Sequence, residues 1–300
     1  MLTNDDNDTL FLGIDGGGSK CNAIIMNENN EILGTGISGP GNPVHGFEQA
    51  THSITESAKL ALINAGLETI ALNELVAGVG LAGVNLPAWY EKMNAWQHPF
   101  KKMFLAHDLV IACLGAHHNA NGAVIVTGTG SCGFSCVDGQ EKFIGGHGFP
   151  QGDKSSGAWF GLQAIKQVLL SLDGIVAPSL MNDLLLAKLS CTSPICIVEA
   201  INGKNATFYG QLANLVFDAA ERGDIIALAI VKEGAEYIDS LAGVLLMKKP
   251  GRISILGGVA PRLQKWLDKD IQAQLSEPLS APAVGAVFYA RSKIAAQSKE

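Results

Sequence analysis

The sequence predicts an α/β protein that contains two similar halves. Glycine accounts for 35 of the 300 residues, hydrophobic residues for 47% and charged residues for 16%, a composition typical of buried strands with tight loops. Residues 10–36 and 122–146 also follow one plan: an apolar strand, a loop of glycine and hydroxyl residues, a second strand, a polar turn and a third strand. Helical sequence follows each copy, at 48–65 and 158–172. The repetition is either a duplicated domain that faces its copy across a cleft, or a coincidence.

The remaining elements are predicted from local patterns, in chain order. The turns within the two copies come from residues 27–30 and from Asp138-Gly139, which favour chain reversal. Short apolar runs predict further strands at 75–81, 104–107 and 252–256. Longer patterns predict helices at 87–100, 109–116, 205–222, 225–247, 261–267 and 281–297, the last of them rich in alanine. Residues 117–122 are a candidate boundary between two domains.

Charge and hydropathy exclude several function classes. The net charge is −7, and no cluster of Lys and Arg is longer than a pair, so nucleic acid is not an expected partner. No apolar run approaches 18 residues without charges, so no membrane segment is expected. The polar N-terminus lacks an export signal, which favours reduced thiols for the six cysteines and a cytoplasmic location.

Two glycine loops raise the question of phosphate binding. The first, FLGIDGGGSK at 11–20, has the glycine spacing of a P-loop, but Ser19-Lys20 stands in reversed order and a strand follows instead of a helix. The second, at 128–133, matches G-x-G-x-x-G, but residues 134–137 again predict a strand where a dinucleotide-binding fold needs a helix. Neither loop therefore fits these two phosphate-binding folds.

A tight hairpin loop offers another way to bind phosphate. Its backbone N–H groups form a concave anion site, and glycine lets them approach an oxygen closely. Asp15 then stands at the end of a strand beside the phosphates. A carboxylate there suits Mg²⁺, held through water, because it otherwise repels phosphate. The alternative is that Asp15 only caps a turn.

Four motifs together resemble those of a known family. DGGGSK at 15–20, TGTGS at 127–131, GxxxGD ending at Asp153 and LGGVAPRL at 256–263 resemble the phosphate-1, phosphate-2, sugar and adenosine motifs of the N-acetylglucosamine kinase and BadF–BcrA ATPase family. That family belongs to the actin-like and sugar-kinase superfamily. The resemblance spans about residues 10–290 and implies two ribonuclease-H-like domains with βββαβα cores that flank a nucleotide cleft. It implies domains at 1–118 and 119–300, with helix 281–297 packing back on the first.

The resemblance implies which residues bind ATP. The residues at the β- and γ-phosphates would be Gly16, Gly17, Gly18, Ser19 and Lys20. The residues that grip the phosphates from the second domain would be Thr127, Gly128, Thr129 and Gly130. Lys20 is alternatively a solvated surface residue, and Thr127 alternatively only shapes its loop. Gly257 and Gly258 would lie under the adenosine, or form an ordinary turn between strand and helix.

The resemblance also implies a base and a sugar site. Asp108 in LAHDL matches the family's catalytic aspartate, and its alternative role is to cap the helix that follows. The residues at the sugar would be Asn42, Asp108, Gly145, Gly146, His147 and Asp153. Asn42 is alternatively a turn residue between Gly41 and Pro43. Lys154 and Ser155 depart from the family's usual Gly-Asp-Glu-Gly-Ser, which adds positive charge and disfavours a cationic amino sugar.

Two other groups of residues resemble metal ligands only superficially. His117 and His118 are adjacent, so they rarely face one ligand, and we expect surface or boundary residues. The pairs Cys132/Cys136 and Cys191/Cys196 lack the spacing of a zinc site and are expected to be core thiols. Cys132 and Cys136 share a face of a predicted strand, so a metal site is the alternative for that pair.

The leading functional hypothesis is an ATP- and Mg²⁺-dependent kinase that phosphorylates the 6-hydroxyl of N-acetylglucosamine. Glucosamine is the rival acceptor. The expected partner is a small-molecule sugar, and the expected assembly a homodimer. A hypothesis of another class is an ATPase activator of a partner reductase, with an iron–sulfur cluster between two subunits, which requires suitably placed cysteines. A third is a sugar-sensing regulator with a degenerate kinase fold, which is less expected because the sequence indicates no DNA-binding extension and its phosphate motifs are intact.

Overall fold

The computed structural model describes residues 9–298, and these form two compact units, each with its own sheet. Unit 1 comprises 9–122 together with 278–298, and unit 2 comprises Ala123–Glu277. The first division follows Gly122, at the end of the candidate boundary 117–122 and four residues after the domain end at 118 that the resemblance implied. The second division precedes Pro278, which assigns the last helix to unit 1.

Unit 1 contains a mixed five-stranded sheet in the order β3-β2-β1-β4-β5. Its strands are β1 (Phe11–Gly16), β2 (Cys21–Met26), β3 (Ile32–Ser38), β4 (Val76–Leu81) and β5 (Lys102–His107). Its helices are α1 (Phe47–Asn64), α2 (Pro87–Asn94), α3 (Asp108–His117) and the last helix of the chain, α12 (Pro282–Gln297). Strands β1 and β2 are antiparallel, as are β2 and β3, whereas β1, β4 and β5 run parallel.

The core of unit 1 lies on both faces of this sheet. Leu12 and Ile14 of β1 point to the face covered by α1, and they pack with Ile54 and Ala58 of that helix. Phe11 packs on the other face with α12. Strands buried on both faces explain why β1 and β4 are almost continuously apolar.

Helix α12 approaches α3 and β4 at backbone distance. A Cβ atom at Gly285 would overlap the carbonyl oxygen of Ile111, and one at Gly78 would overlap that of Ala286. Glycine is therefore required at both contacts, which lie within unit 1.

Unit 2 contains a four-stranded sheet in the order β8-β7-β6-β9. Its strands are β6 (Gly122–Thr127), β7 (Ser131–Val137), β8 (Gln140–Gly145) and β9 (Ile253–Leu256). Its helices are α4 (Gly157–Leu172), α5 (Leu180–Leu189), α6 (Pro194–Ile201), α7 (Ala206–Gly210), α8 (Ala213–Glu221), α9 (Ile225–Leu246), α10 (Ala260–Leu263) and α11 (Lys269–Gln274). Its core joins Ile125 of the sheet with Phe160, Phe217 and Ile238 of the helices.

The two sheets confirm the predicted α/β fold. In each, the first four strands are ordered third, second, first, fourth along the chain, and a helical segment precedes the fourth. Unit 1 adds β5, whereas Ile253 of unit 2 forms a single parallel bridge with Leu275. The Asp138-Gly139 turn has positive φ at both residues, the conformation that matches a tight hairpin between twisted strands.

Three predicted helices differ from the structure. The helix expected at 87–100 ends at Asn94, and His98, which precedes Pro99, is disfavoured in helical conformation. The helix expected at 205–222 is two helices, α7 and α8, where Gly210 weakens the helix. The helix expected at 261–267 comprises α10 and a short 3₁₀ turn.

In the described part of the chain no single helix is long and apolar enough to cross a membrane. Only α5 and α6 taken together, with a 55° bend between them, reach that length and hydropathy.

Candidate active site

The carboxyl edge of the parallel strands in unit 1 carries two of the three predicted acidic site residues, Asp15 and Asp108. Asp15 is paired with Gly80 of β4, and Leu81 of β4 is paired with His107 of β5. Asp108 follows His107 directly. Asp15 and Asp108, 93 positions apart in the sequence, therefore stand two strands apart at the same edge of one sheet.

Asp15 is held in surroundings that oppose its negative charge. Burial, reinforced by the negative charge of Asp108, raises its pKa from 3.8 to about 6. The Asn22 amide, whose nitrogen lies 3.5 Å from Oδ2, and the charge of Lys20 act in the opposite direction. A carboxylate in this position gains from a nearby cation, which fits the predicted Mg²⁺ role better than a simple turn cap.

The raised pKa of Asp15 predicts that the free energy of unfolding depends on pH. The folded state holds the Asp15 proton between pH 3.8 and about 6, so ionisation lowers the free energy of unfolding as the pH rises through that window. Asp15→Asn is expected to raise the unfolding free energy at pH 7.5 by up to about 3 kcal/mol in protein free of Mg²⁺ and nucleotide. Urea unfolding of the unaltered protein and of Asp15→Asn at pH 7.5 and pH 5 measures this difference in unfolding free energy. A stability gap that stays constant or widens towards pH 5 would contradict the prediction.

The phosphate-1 loop, residues 16–20, is a tight hairpin between β1 and β2. The Gly17 N–H donates to the Lys20 carbonyl at 2.9 Å, and the Gly17 carbonyl accepts from the Gly41 N–H. Ser19 and Lys20 are exposed. The N–H of Gly18 forms no hydrogen bond with the described residues, so it is available to an anion.

Asp108 is the first residue of α3, and the helix cap is its neighbour. His107 occupies the N-cap position, so Asp108 is not the N-cap residue itself, although its carboxylate lies within hydrogen-bond distance of an N–H of the first helical turn. Asp108 Oδ1 lies 2.9 Å from the Leu109 nitrogen and 2.7 Å from His107 Nδ1. The Asp108 side chain is 25% exposed, which leaves it accessible to a ligand.

The amide oxygen of Asn42 stabilises the turn that follows it. Oδ1 accepts the Val44 N–H at 2.9 Å and caps the short 3₁₀ turn Pro43–His45. Its amide nitrogen forms no hydrogen bond with any described residue. The turn role is therefore observed, and the amide nitrogen remains available for the predicted sugar contact.

An open cavity of about 680 Å³ lies beyond this turn. Its lining residues are Gly46, Phe47, Glu48, Gln49, His52 and Lys92. Lys92 Nζ lies 4.5 Å from the centre of the Phe47 ring. None of the predicted site residues lines this cavity, which therefore does not mark the predicted sugar site.

The phosphate-2 loop of unit 2, residues 127–130, is anchored to its neighbours. The buried Thr127 hydroxyl donates to the Ser155 carbonyl at 2.7 Å, and the Thr127 carbonyl accepts from the Val259 N–H. The Thr127 side chain thus shapes the loop. The Gly157 N–H donates to the Gly128 carbonyl at 2.7 Å, while a Cβ at Gly128 would meet nothing within 4 Å.

Gly257 packs directly on this loop. Its φ is +102°, and a Cβ there would overlap the Thr127 carbonyl oxygen. A Cβ at Gly258, by contrast, would meet nothing within 4 Å. Both the close packing at Gly257 and the open space at Gly258 fit the predicted adenosine motif.

The sugar loop, residues 145–156, is irregular and turns several times through left-handed backbone conformations, at Gly145, Gly146, Gly148, Asp153 and Ser155. Burial raises the pKa of Asp153, opposed by hydrogen bonds from the Gly148 and Ser131 backbones and by the charge of His147. Residues 145, 146, 147 and 153 thus belong to one loop of unit 2.

Tyr237 of α9 is a neighbour of this loop that the sequence did not indicate. Burial, and next the negative charge of Asp153, raise its pKa. Its hydroxyl lies 3.3 Å from where a Cβ at Gly145 would stand. The residue had no sequence signal, because only the packing of α9 brings it to the loop.

Lys154 is paired. Its Nζ lies 3.0 Å from Glu233 Oε1 and 5.9 Å from the centre of the Trp159 ring. The positive charge of Lys154 beside the sugar motif is therefore offset by the Glu233 carboxylate of α9. This pairing weakens the expectation that Lys154 disfavours a cationic amino sugar.

Ser155 stands where the family usually has glycine, and it lowers the stability of the folded protein. Its φ is +68°, its side chain is fully buried, and its hydroxyl has no hydrogen-bond partner among the described residues. Ser155→Gly is expected to raise the unfolding free energy by about 1 kcal/mol, because glycine tolerates this φ and removes the unpaired group. Ser155→Ala, which keeps the strained φ, should gain less. A lower urea midpoint for the glycine variant than for the unaltered protein would contradict this.

The cysteines and histidines correct two expectations. Cys191 and Cys196 form a disulfide with Cα atoms 5.4 Å apart, so the prediction of reduced thiols is wrong for this pair, which the turn between α5 and α6 brings together. Of the two alternatives for the histidines, surface or boundary, the surface one does not hold for His117, which is buried against Gly122 at the domain boundary, whereas the exposed His118 contacts Ser280. No group of three or more potential metal-ligating side chains occurs within residues 9–298.

Comparison with known proteins identifies a family and named relatives. The sequence profile of the BadF/BadG/BcrA/BcrD ATPase family matches residues 12–290. The chain is 34% identical over 285 residues to the glucosamine kinase of Vibrio cholerae, covering 93% of this chain and 95% of that protein. It is 27% identical over 266 residues to an N-acetyl-D-glucosamine kinase of Dictyostelium discoideum, covering 80% of each. A Chromobacterium violaceum crystal structure, provisionally named as an N-acetylglucosamine kinase, superposes with TM-score 0.89 at 26% identity, covering 95% of this chain and 100% of that one.

Proposed function

Because the chain belongs to the BadF/BadG/BcrA/BcrD ATPase family, we propose that it is an ATP-dependent kinase whose acceptor is an amino sugar. The observation that carries the proposal is the carboxyl edge of the unit 1 sheet. There a glycine hairpin between β1 and β2 with an available N–H, the carboxylate of Asp15 in β1 and the accessible carboxylate of Asp108 after β5 lie at the same edge of one sheet. The same activity is supported by relatives that are similar over 80% or more of this chain and are named as glucosamine or N-acetyl-D-glucosamine kinases.

The proposed acceptor is N-acetylglucosamine, phosphorylated at its 6-hydroxyl. Glucosamine is a second candidate, favoured by the name of the Vibrio cholerae relative and by the pairing of Lys154 with Glu233. Asn42 through its amide nitrogen and Asp153 through its carboxylate are the proposed sugar contacts, with Gly145, Gly146 and His147 beside Asp153.

The proposed chemistry assigns each group one task. ATP supplies the phosphoryl group, and positioning of the reactants with removal of the hydroxyl proton is the main task of the protein. Asp108 accepts that proton. The loops 16–20 and 127–130 bind phosphate oxygens, the first of them through the available N–H of Gly18, with Lys20 adding charge. Asp15 holds Mg²⁺ through water. Open space beside Gly128 and Gly258 fits a nucleotide.

The activator hypothesis finds less support. It needs accessible cysteines for a cluster, but Cys21, Cys113 and Cys136 are buried, Cys191 and Cys196 are bonded to each other, and Cys132 alone of the six is a partly exposed thiol.

An acceptor panel tests the proposal. ADP release with Mg-ATP is measured against N-acetylglucosamine, glucosamine, N-acetylmannosamine and glucose, and the product is identified by NMR. We expect turnover with one or both of the first two sugars and phosphate on the 6-oxygen. Hydrolysis of ATP at one rate with every sugar and with none would contradict the kinase function.

A further inference from the structure

His107 touches the proposed base directly. Its Nδ1 lies 2.7 Å from Asp108 Oδ1, within the range of charge-assisted hydrogen bonds. A ring nitrogen without hydrogen and a carboxylate oxygen both present lone pairs and repel at this distance. Nδ1 therefore carries the ring hydrogen and donates it to Asp108 Oδ1.

This tautomer of His107 decides which atom accepts the hydrogen bond from the Leu109 N–H. The Leu109 nitrogen lies 3.1 Å from His107 Nδ1 and 2.9 Å from Asp108 Oδ1. A protonated Nδ1 has no lone pair to offer, so the Leu109 N–H donates to Oδ1. Oδ1 then accepts two hydrogen bonds, whereas Oδ2 accepts none from the described residues.

The donor is itself held firmly. His107 is the last residue of β5 and pairs with Leu81 of β4, which fixes its backbone. Its side chain is only 16% exposed, so the ring has little freedom to turn away. A carboxylate fixed through one oxygen by a fixed donor presents its other oxygen in a constant direction.

We propose that His107 is a positioning residue for the proton acceptor: its Nδ1–H fixes Oδ1 of Asp108, and so directs Oδ2 to the acceptor hydroxyl. This inference rests on the proposed function. Because the contact orients the base without touching either substrate, its loss slows proton removal in the transferring complex and leaves binding of ATP and sugar unchanged.

Two substitutions separate the hydrogen bond from the bulk of the ring. His107→Leu removes the donor, whereas His107→Asn keeps an N–H near the position of Nδ1 and is favoured at an N-cap. We expect His107→Leu to lower kcat about tenfold with both KM values within about twofold, and His107→Asn to stay within about threefold of the unaltered kcat. Equal losses in both variants, or a loss confined to KM, would overturn the proposal. His107→Asp replaces the leucine variant if that one fails to fold, because it caps the helix without a proton to donate.

A double-substitution cycle tests whether His107 acts through Asp108. In the Asp108→Asn background, His107→Leu is expected to change the residual kcat by less than about twofold, since the base it positions is absent. Two losses that multiply would overturn the positioning role while leaving the kinase function standing. Absence of sugar-dependent ADP release in the unaltered protein would instead overturn the proposed function itself.

Discussion

Asp108→Asn is expected to lower kcat for sugar phosphorylation by about 10²- to 10⁴-fold, the range typical of a general base. The amide keeps the size of the side chain but has no basicity for the hydroxyl proton. The KM values for ATP and sugar are expected to change little, because Asp108 acts during transfer. Steady-state ADP release over a range of both substrates gives kcat and both KM values.

A matched control shows whether the effect of an Asp→Asn substitution is specific to position 108. Asp183→Asn makes the same substitution at an exposed carboxylate in the first turn of α5, and full activity is expected. Thermal midpoints of the three proteins show whether a loss reflects unfolding. A kcat for Asp108→Asn within about threefold of the unaltered value would be incompatible with a general base.

Gly285→Ala is expected to destabilise the protein by about 3 kcal/mol or more, or to prevent folding. The added methyl group would overlap the Ile111 carbonyl oxygen and lie 2.9 Å from its carbon, so α12 and α3 must separate. Because the obstacle is helix backbone, no side-chain rotation relieves the overlap. The urea midpoint measures the effect.

Gly243→Ala is the matched control, since it makes the same change inside α9. A Cβ there meets nothing within 4 Å, so the usual preference of helices for alanine should raise stability by about 1 kcal/mol. The two substitutions are thus expected to move the midpoint in opposite directions. Similar shifts for both would contradict the backbone contact between α12 and α3.

Much of the fold was predictable, because its signals are local. Buried runs such as Phe11–Gly16 and turns such as Asp138-Gly139 carry their burial and backbone preferences in adjacent residues. Helix ends were less predictable: α2 ends at Asn94 although apolar and aromatic residues continue beyond it. The assignment of α12 to unit 1 depends on contacts between residues over 150 positions apart, which no single pattern encodes.

The site was predictable where a motif marks it and hidden where packing creates it. Asp15 lies near the end of the apolar strand β1 and Asp108 directly follows β5, so the parallel order of β1, β4 and β5 brings them to one edge. Tyr237 and Glu233 lie on one face of α9 without a motif, and they reach the sugar loop only through tertiary packing. The disulfide was missed because pairing of Cys191 with Cys196 depends on the turn at Ser190, whose φ is +55°.

The most direct test of the central claim is the fate of the terminal phosphate of ATP. The protein is incubated with Mg²⁺, ATP labelled at the γ-phosphate and N-acetylglucosamine or glucosamine, and the label is separated into sugar phosphate and inorganic phosphate. A kinase transfers the label to the sugar in proportion to ADP formed, and Asp108→Asn slows that transfer by about 10²- to 10⁴-fold. Label released only as inorganic phosphate, at a rate independent of the sugar, would contradict the account and favour an ATPase that serves another purpose.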